Sequence, residues 1–231
     1  GNRGGERFAR HRDLGGLGAI GRVNYGDVVV ETVARVDELP IRAGHGRDGG
    51  MAHGDGRKNR PVGAVQDQQR ALDFVTNRLR ENRFGVSLLH GVTDSGKTEV
   101  YIRAIQACID AGRRAIILLP EIALTAQTVQ RFRSRFENLA ILHSQLSGPQ
   151  RNAQWQSIRN NQVDVVIGAR SAVFAPVSNL GLSVIDEEHE GSYKQDTVPR
   201  YHGRDVAVKR AQLAEAHCLL GSATPSLETL Y

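Results

Sequence analysis

Cysteine is almost missing from this chain. Cys108 and Cys218 are the only two in 231 residues, each inside an apolar stretch and neither part of a CxxC pair. That excludes a disulfide scaffold, leaves no paired-cysteine zinc site within the chain, and suits a reducing cytoplasm. No apolar run reaches the roughly 18 residues that a membrane-spanning helix needs. The start, "GNRGGERFARHRDLGG", is basic and lacks the apolar h-region of a secretory signal. Apolar content is 40%, slightly low for a compact domain, but the shortfall is local: fourteen of the 25 glycines fall in the first 60 residues. The net charge of +5 permits a polyanionic partner without requiring one.

Two regions follow from this distribution. Residues 1–63 read as a Gly/Arg-rich, poorly ordered N-terminal segment, because "AGHGRDGGMAHGDGRKNRPVG" has almost nothing to bury against the entropy of ordering. A basic arm touching nucleic acid and a plain flexible tail both fit it. Only "GDVVVETVARV" (26–36) has the β-branched content of a strand. Residues 64–231 are regular. "DQQRALDFVTNRLREN" sets Leu72, Val75 and Leu79 on one helical face, and Tyr101, Ile105, Cys108 and Ala111 recur at the same spacing further on. An amphipathic helix is expected through "IALTAQTVQRFRSRF", and others at 149–160 and 203–216. Between them stand "VSLLH" (86–90), "RAIILLP" (114–120), "LAILHS" (139–144), "VDVVIGAR" (163–170), "LSVIDEEH" (182–189) and "HCLLGSAT" (217–224). Their centres are continuously apolar, the mark of strands buried on both faces. The expectation is an α/β domain with a mostly parallel sheet and helices on both sides.

"GVTDSGKT" fits G-x-x-x-x-G-K-[ST] with Gly91, Gly96, Lys97 and Thr98 in place. It follows an expected strand and opens an expected helix, the setting such a loop needs. Backbone N–H groups of Gly91, Val92, Thr93, Asp94, Ser95 and Gly96 would wrap phosphates, Lys97 would reach the outer two, and the Thr98 hydroxyl would ligate Mg²⁺. Asp94 puts a carboxylate in that cradle. It is expected to weaken ATP binding without abolishing it, and Asp94→Gly to restore it. The loop alone does not name a reaction, since metabolite kinases, GTPases, transporters and helicases all use one.

"LSVIDEEH" ends an apolar strand in acids, where an open α/β sheet places its ligand chemistry. Asp186 would join Thr98 in the metal shell, Glu187 would orient or deprotonate the attacking water, and His189 would pass the phosphate state onward. "DEEH" resembles the DEAH-type Walker B box of superfamily 2 helicases, and "GSATPS" (221–226), with Ser222 and Thr224, resembles the motif that couples hydrolysis to nucleic-acid movement there.

The likeness extends further. "LLHGVTDSGKTEVY", "LLPEIALTAQ", "LHSQLS", "VVIGARSAVFAPVSNLGLSVIDEEHEGSYKQD", "PRYHGRDVAVKRA" and "LGSATPSLETL" together resemble the replication-restart helicases of the primosomal protein N′ (PriA) family, over about residues 64–231. The resemblance implies a RecA-like P-loop NTPase lobe, Mg²⁺-ATP as cofactor, and 3′-to-5′ movement on forked or single-stranded DNA in the bacterial cytoplasm, at the nucleoid. Primosome and single-strand-binding proteins are the implied partners; no membrane is implied. Gln68 would read the adenine edge, with Gln69 as a competing register. Pro120, Glu121 and Thr125, then Gly168, Arg170 and Ser171, would face DNA. Tyr193, Lys194, Tyr201, His202 and Arg204 are placed to join DNA binding to the ATP site. The family's second lobe and its zinc-binding cysteine block are expected beyond residue 231, so the chain is expected to be a truncated first lobe, weak or inactive alone. A nucleotide- or DNA-binding product without turnover, and another superfamily 2 translocase, are the alternatives.

Overall fold

A computed structural model of the chain describes residues 22–25, 28–35, 62–92, 95–226 and 229. The rest of residues 1–61, on which most of the reading of the N-terminal segment falls, lies outside the described residues. Within that segment Arg22–Tyr25 (β1) and Val28–Arg35 (β2) are strands, the second falling inside the expected 26–36. There follow Val62–Arg80 (α1), Gly85–His90 (β3), Lys97–Asp110 (α2), Arg114–Leu118 (β4), Ala126–Arg133 (α3), Leu139–Leu142 (β5), Gly148–Arg159 (α4), Val165–Gly168 (β6), Leu180–Ile185 (β7), Lys194–Gln195 (β8), Tyr201–His202 (β9), Gly203–Leu213 (α5) and His217–Ser222 (β10).

The main sheet runs β1-β2-β3-β10-β7-β4-β6-β5. β1 pairs antiparallel with β2, and every other neighbouring pair in this sheet is parallel. Alternate residues of β3, β4, β5, β6, β7 and β10 enter opposite core layers. Leu88, Ile116, Leu118, Val166 and Leu220 face α4 and α5, whereas Leu89, Ile117, Ile167, Val184 and Leu219 face α1, α2 and α3. Both faces being covered, the strands carry apolar side chains at nearly every position, which is why they read as unbroken runs. The sheet and its two helical layers are those expected for a RecA-like lobe.

Helix boundaries differ from expectation where the caps decide. The buried stripe of α1 is Ala71, Val75 and Leu79, with Leu72 at its half-buried margin. Ala111 is not part of the α2 core stripe; it caps the helix and is exposed. The expected helix at 122–136 is two pieces, a 3-10 turn at Glu121–Ala123 and then α3, because Thr125 takes an extended backbone and accepts the Thr128 N–H as N-cap. Among the described residues no helix is long and apolar enough to cross a membrane.

Candidate active site

The strand order brings three C-terminal strand ends together. β10 lies between β3 and β7, with Ser222 level with His90 and Leu220 level with Ile185. The segments leaving those ends are the phosphate loop, "GSATPS" and "DEEH". Sequence spacing alone could not place "GSATPS" between the other two.

Gly91 N–H donates to Ser222 O at 3.0 Å, so the phosphate loop is tied to β10 from its first residue. Thr93 and Asp94 lie outside the described residues. The loop closes on Gly96, at φ 94, a left-handed backbone that glycine adopts without steric cost. Among the described residues no side chain caps the start of α2, so the N-terminus of a 14-residue helix faces the loop with its positive dipole end. Lys97 is 7% exposed and turned inward. Its Nζ donates to Gly91 O at 2.5 Å and Val92 O at 3.4 Å, and lies 3.2 Å from Glu187 Oε1. Gln68 Nε2 donates to Ser95 O at 2.5 Å, while Gln69 bonds Asp73 on the exposed side of α1. Of the two registers, Gln68 is therefore the glutamine at the loop.

Asp186 follows β7, its N–H donating to Leu118 O at 3.0 Å. Burial raises its carboxyl above the usual carboxylate range, and a hydrogen bond from Tyr101 Oη to Oδ1 at 2.9 Å opposes that rise. Glu187 adopts φ 45 and accepts Ala223 N–H on Oε2 at 3.1 Å. His189 spans to the same loop: Nδ1 is 2.8 Å from Ser222 Oγ, and Nε2 is 3.1 Å from Thr224 Oγ1. The acid strand and the "GSATPS" loop are thus in direct contact through Glu187 and His189.

Glu188, between those two, points the other way. It is 0% exposed and accepts from Arg204 Nη1 at 3.0 Å, Ser226 N–H at 2.7 Å, Ser226 Oγ at 3.1 Å and Thr229 Oγ1 at 2.8 Å. Sequence reading gave this third acid no role and sent Arg204 to DNA. The structure corrects that: Arg204 is buried at the start of α5 and pairs through Nη1 with Glu188 and through Nε with Asp205, each at 3.0 Å. Tyr193 is likewise misplaced by expectation. It is 1% exposed, inside the core between β7 and α5, and its Oη is 2.8 Å from Asp186 O and 3.1 Å from Leu118 O. Neither residue can touch a surface strand. Pro120 is also buried, shaping the turn into Glu121 rather than meeting solvent.

The remaining DNA-face residues do reach the surface. Glu121, Thr125, Ser171 and Lys194 are exposed, although the Thr125 hydroxyl already caps α3 and Lys194 Nζ is 3.3 Å from Asp196. Arg170 donates to Ser192 O and Lys194 O, and its guanidinium sits 5.8 Å from the Tyr201 ring centre. Tyr201 packs edge-on against Phe174, half of which is exposed. A cavity of about 200 Å³ gathers Glu121, Arg170 and Ser171 with Ser144, Arg151 and Ser192, three polar residues the sequence reading passed over. Gly168, expected on this face, packs at the β6 end against Leu142 and Ala172.

The residues present fit a magnesium nucleotide. An uncapped helix N-terminus, an inward ammonium and the half-buried Thr98 and Asp186 are the donor set of such a site. Among the described residues no cluster of three or more His, Cys, Asp or Glu could hold a metal alone, and magnesium on phosphates needs none, since it keeps waters and phosphate oxygens as ligands.

Residues 66–231 match the DEAD/DEAH box helicase family. The chain is 47% identical over 174 residues to replication restart protein PriA of Bacillus subtilis, covering 75% of this chain and 22% of that protein. It is 49% identical over 166 residues to PriA of Treponema pallidum, covering 71% and 25%. The structure of RecG bound to a three-way DNA junction matches with a TM-score of 0.51 and 27% identity, over 74% of this chain and 22% of that one. The chain therefore spans about a quarter or less of the length of these relatives. By its matched segment and its fold, the chain belongs to the DEAD/DEAH box helicase family, in the part of it that resembles the first lobe of PriA.

Proposed function

We propose that this chain is the ATP-binding lobe of a replication-restart DNA helicase that uses Mg²⁺-ATP hydrolysis to move 3′ to 5′ on forked or single-stranded DNA. The observation that carries this reading is the interlock at the sheet edge. Lys97, Glu187, His189 and the Ser222–Thr224 segment form one chain of contacts from the phosphate loop to "GSATPS". Bound Mg²⁺-ATP supplies a phosphoryl group whose charge the metal neutralises. Thr98 and Asp186 would hold the metal, and Gln68 would stand at the base end of the loop. Lys97 keeps Glu187 Oε1 occupied by an ammonium; moving that ammonium to phosphate frees the carboxylate to take a proton from water. Glu187 Oε2 stays on Ala223 N–H, so a change at the base is felt by the neighbouring loop. His189 repeats the linkage through both ring nitrogens.

The exposed face around Arg170, Ser171, Glu121, Lys194 and Tyr201 would carry the DNA strand, with the aromatic rings and the guanidinium suited to stacked bases. Primosome proteins and single-strand-binding protein are the partners we assign to the full-length protein, zinc its additional metal, and the bacterial cytoplasm at the nucleoid its place. The test is DNA-stimulated phosphate release by the full-length protein, expected to vanish in both Lys97→Ala and Glu187→Gln. Turnover retained in both variants overturns the reading.

A further inference from the structure

The phosphate-loop helix and the acid strand are joined by a side chain that neither motif explains. Tyr101 stands one turn into α2 from Lys97 and is 0% exposed. Its hydroxyl donates to Asp186 Oδ1 at 2.9 Å. The room for that hydroxyl comes from β10: a Cβ on Gly221 would collide with Tyr101 Oη, so the strand bearing "GSATPS" must have glycine there. A phenylalanine at 101 would bury the same ring without placing any polar atom over β10. The ring already crowds Gly221, and the hydroxyl takes the tightest place over the strand; what it provides there is a donor to one carboxylate oxygen.

Asp186 is gripped from both layers. Tyr101 comes from the layer containing α2 and holds the side chain, while Tyr193 comes from the opposite layer and holds the main-chain carbonyl at 2.8 Å. Two tyrosines from opposite faces of one sheet thus fix a single residue, one at each end.

Building on the Mg²⁺-ATP reading above, we propose that Tyr101 is a positioning residue for the metal: by occupying Oδ1 it fixes the rotamer of Asp186 and presents Oδ2 as the metal's oxygen. An Asp186 free to rotate would still be an acid near phosphate, but its metal-binding oxygen would have to be ordered each time magnesium enters. A hydrogen bond to an ionised group is strong enough that its loss should weaken metal-dependent binding about tenfold.

The experiment titrates a fluorescent ATP analogue into this chain and into Tyr101→Phe, once with Mg²⁺ and once with EDTA. The expected result is about tenfold weaker binding for Tyr101→Phe in Mg²⁺ and unchanged binding in EDTA. Gly221→Ala, which drives the hydroxyl off Asp186 while keeping the phenol, should give the same Mg²⁺-selective loss. A merely structural tyrosine would lower both arms together. Equal loss in both arms, or no loss in Mg²⁺, overturns the proposal. Failure of the unmodified chain to bind in either arm overturns the Mg²⁺-ATP reading itself, and this inference with it.

Discussion

Arg204→Met leaves Glu188 as a fully buried carboxylate without its cation. Glu188 is 0% exposed and the Arg204 side chain 8%, with 3.0 Å between Oε2 and Nη1, so water cannot replace the lost partner. Breaking a buried pair from one side typically costs about 3–5 kcal/mol. Glu188 keeps three other donors, Ser226 N–H, Ser226 Oγ and Thr229 Oγ1, which places the loss at the lower end, about 3 kcal/mol. Removing both charges is milder. In Glu188→Gln with Arg204→Met the amide still accepts from Ser226 and no ion is stranded, so the double variant should recover about 1–2 kcal/mol relative to Arg204→Met. Urea unfolding of the chain, followed by the fluorescence of its single tryptophan, Trp155, reads both values. DNA binding by the full-length protein supplies a second readout. Because Arg204 is buried against Glu188, the salt dependence of binding should keep its slope. A loss below about 1 kcal/mol for Arg204→Met, or a double variant as unstable as the sum of the singles, would refute the reasoning. So would unchanged stability combined with a salt slope lowered by about one unit, which would return Arg204 to the DNA.

Acid should act through His217, whose ring burial pushes down to about 4, with Arg78 adding to the shift and Glu81 opposing it. The unfolded ring takes its proton near 6.5, so between these values the unfolded state binds more protons, and stability falls as pH drops from 6.5 toward 4. By pH 5.5 the cost is about 1.2 kcal/mol relative to neutral pH, and His217→Leu should remove that part of the pH dependence in urea melts. A variant with the same acid sensitivity as the unmodified chain would show that other groups carry it. Gly168→Ala should destabilise by about 1–3 kcal/mol, because a Cβ there would overlap Leu142 O and Ala172 Cβ at the end of β6. A thermal melt within a degree of the unmodified chain would show that the β6 turn relaxes more readily than its packing suggests.

The strands were legible because each is buried on both faces and announces itself as an apolar run. The phosphate loop was legible because backbone chemistry fixes its spacing. Strand order was not, since a crossover connection leaves no trace in the strand it skips: nothing in "HCLLGSAT" says that it lies between β3 and β7. Tyr101 was read as one more core position of α2, because ring burial sets its period and the hydroxyl adds nothing to that pattern. Tyr193 and Arg204 stand in a stretch of mixed aromatics and cations, a composition that a solvent-facing DNA surface and a polar core share. Only packing tells them apart, and here it takes Tyr193 under β7 and Arg204 onto Glu188. The three acids of "DEEH" look equivalent in sequence, yet a turn at Glu187 sends Asp186, Glu187 and Glu188 to three different neighbours: Tyr101, Lys97 and Arg204.

That turn has a consequence for how copies of this lobe drift. Among the described residues five non-glycine residues take positive φ, and three of them, Asn82, Asn161 and Asn179, are the type that tolerates it best. Glu187 is not, and a glutamate held there gives up on the order of 1 kcal/mol to a residue at ease in that conformation. The backbone alone would therefore favour asparagine or glycine at 187, and the carboxylate's contacts with Lys97 and Ala223 N–H, together with any need for a base, resist the exchange. Position 187 is a molecular witness. In a lineage that still turns ATP over, glutamate should persist against the pull of the backbone; in one that has stopped, this is the place where the backbone's preference should surface early.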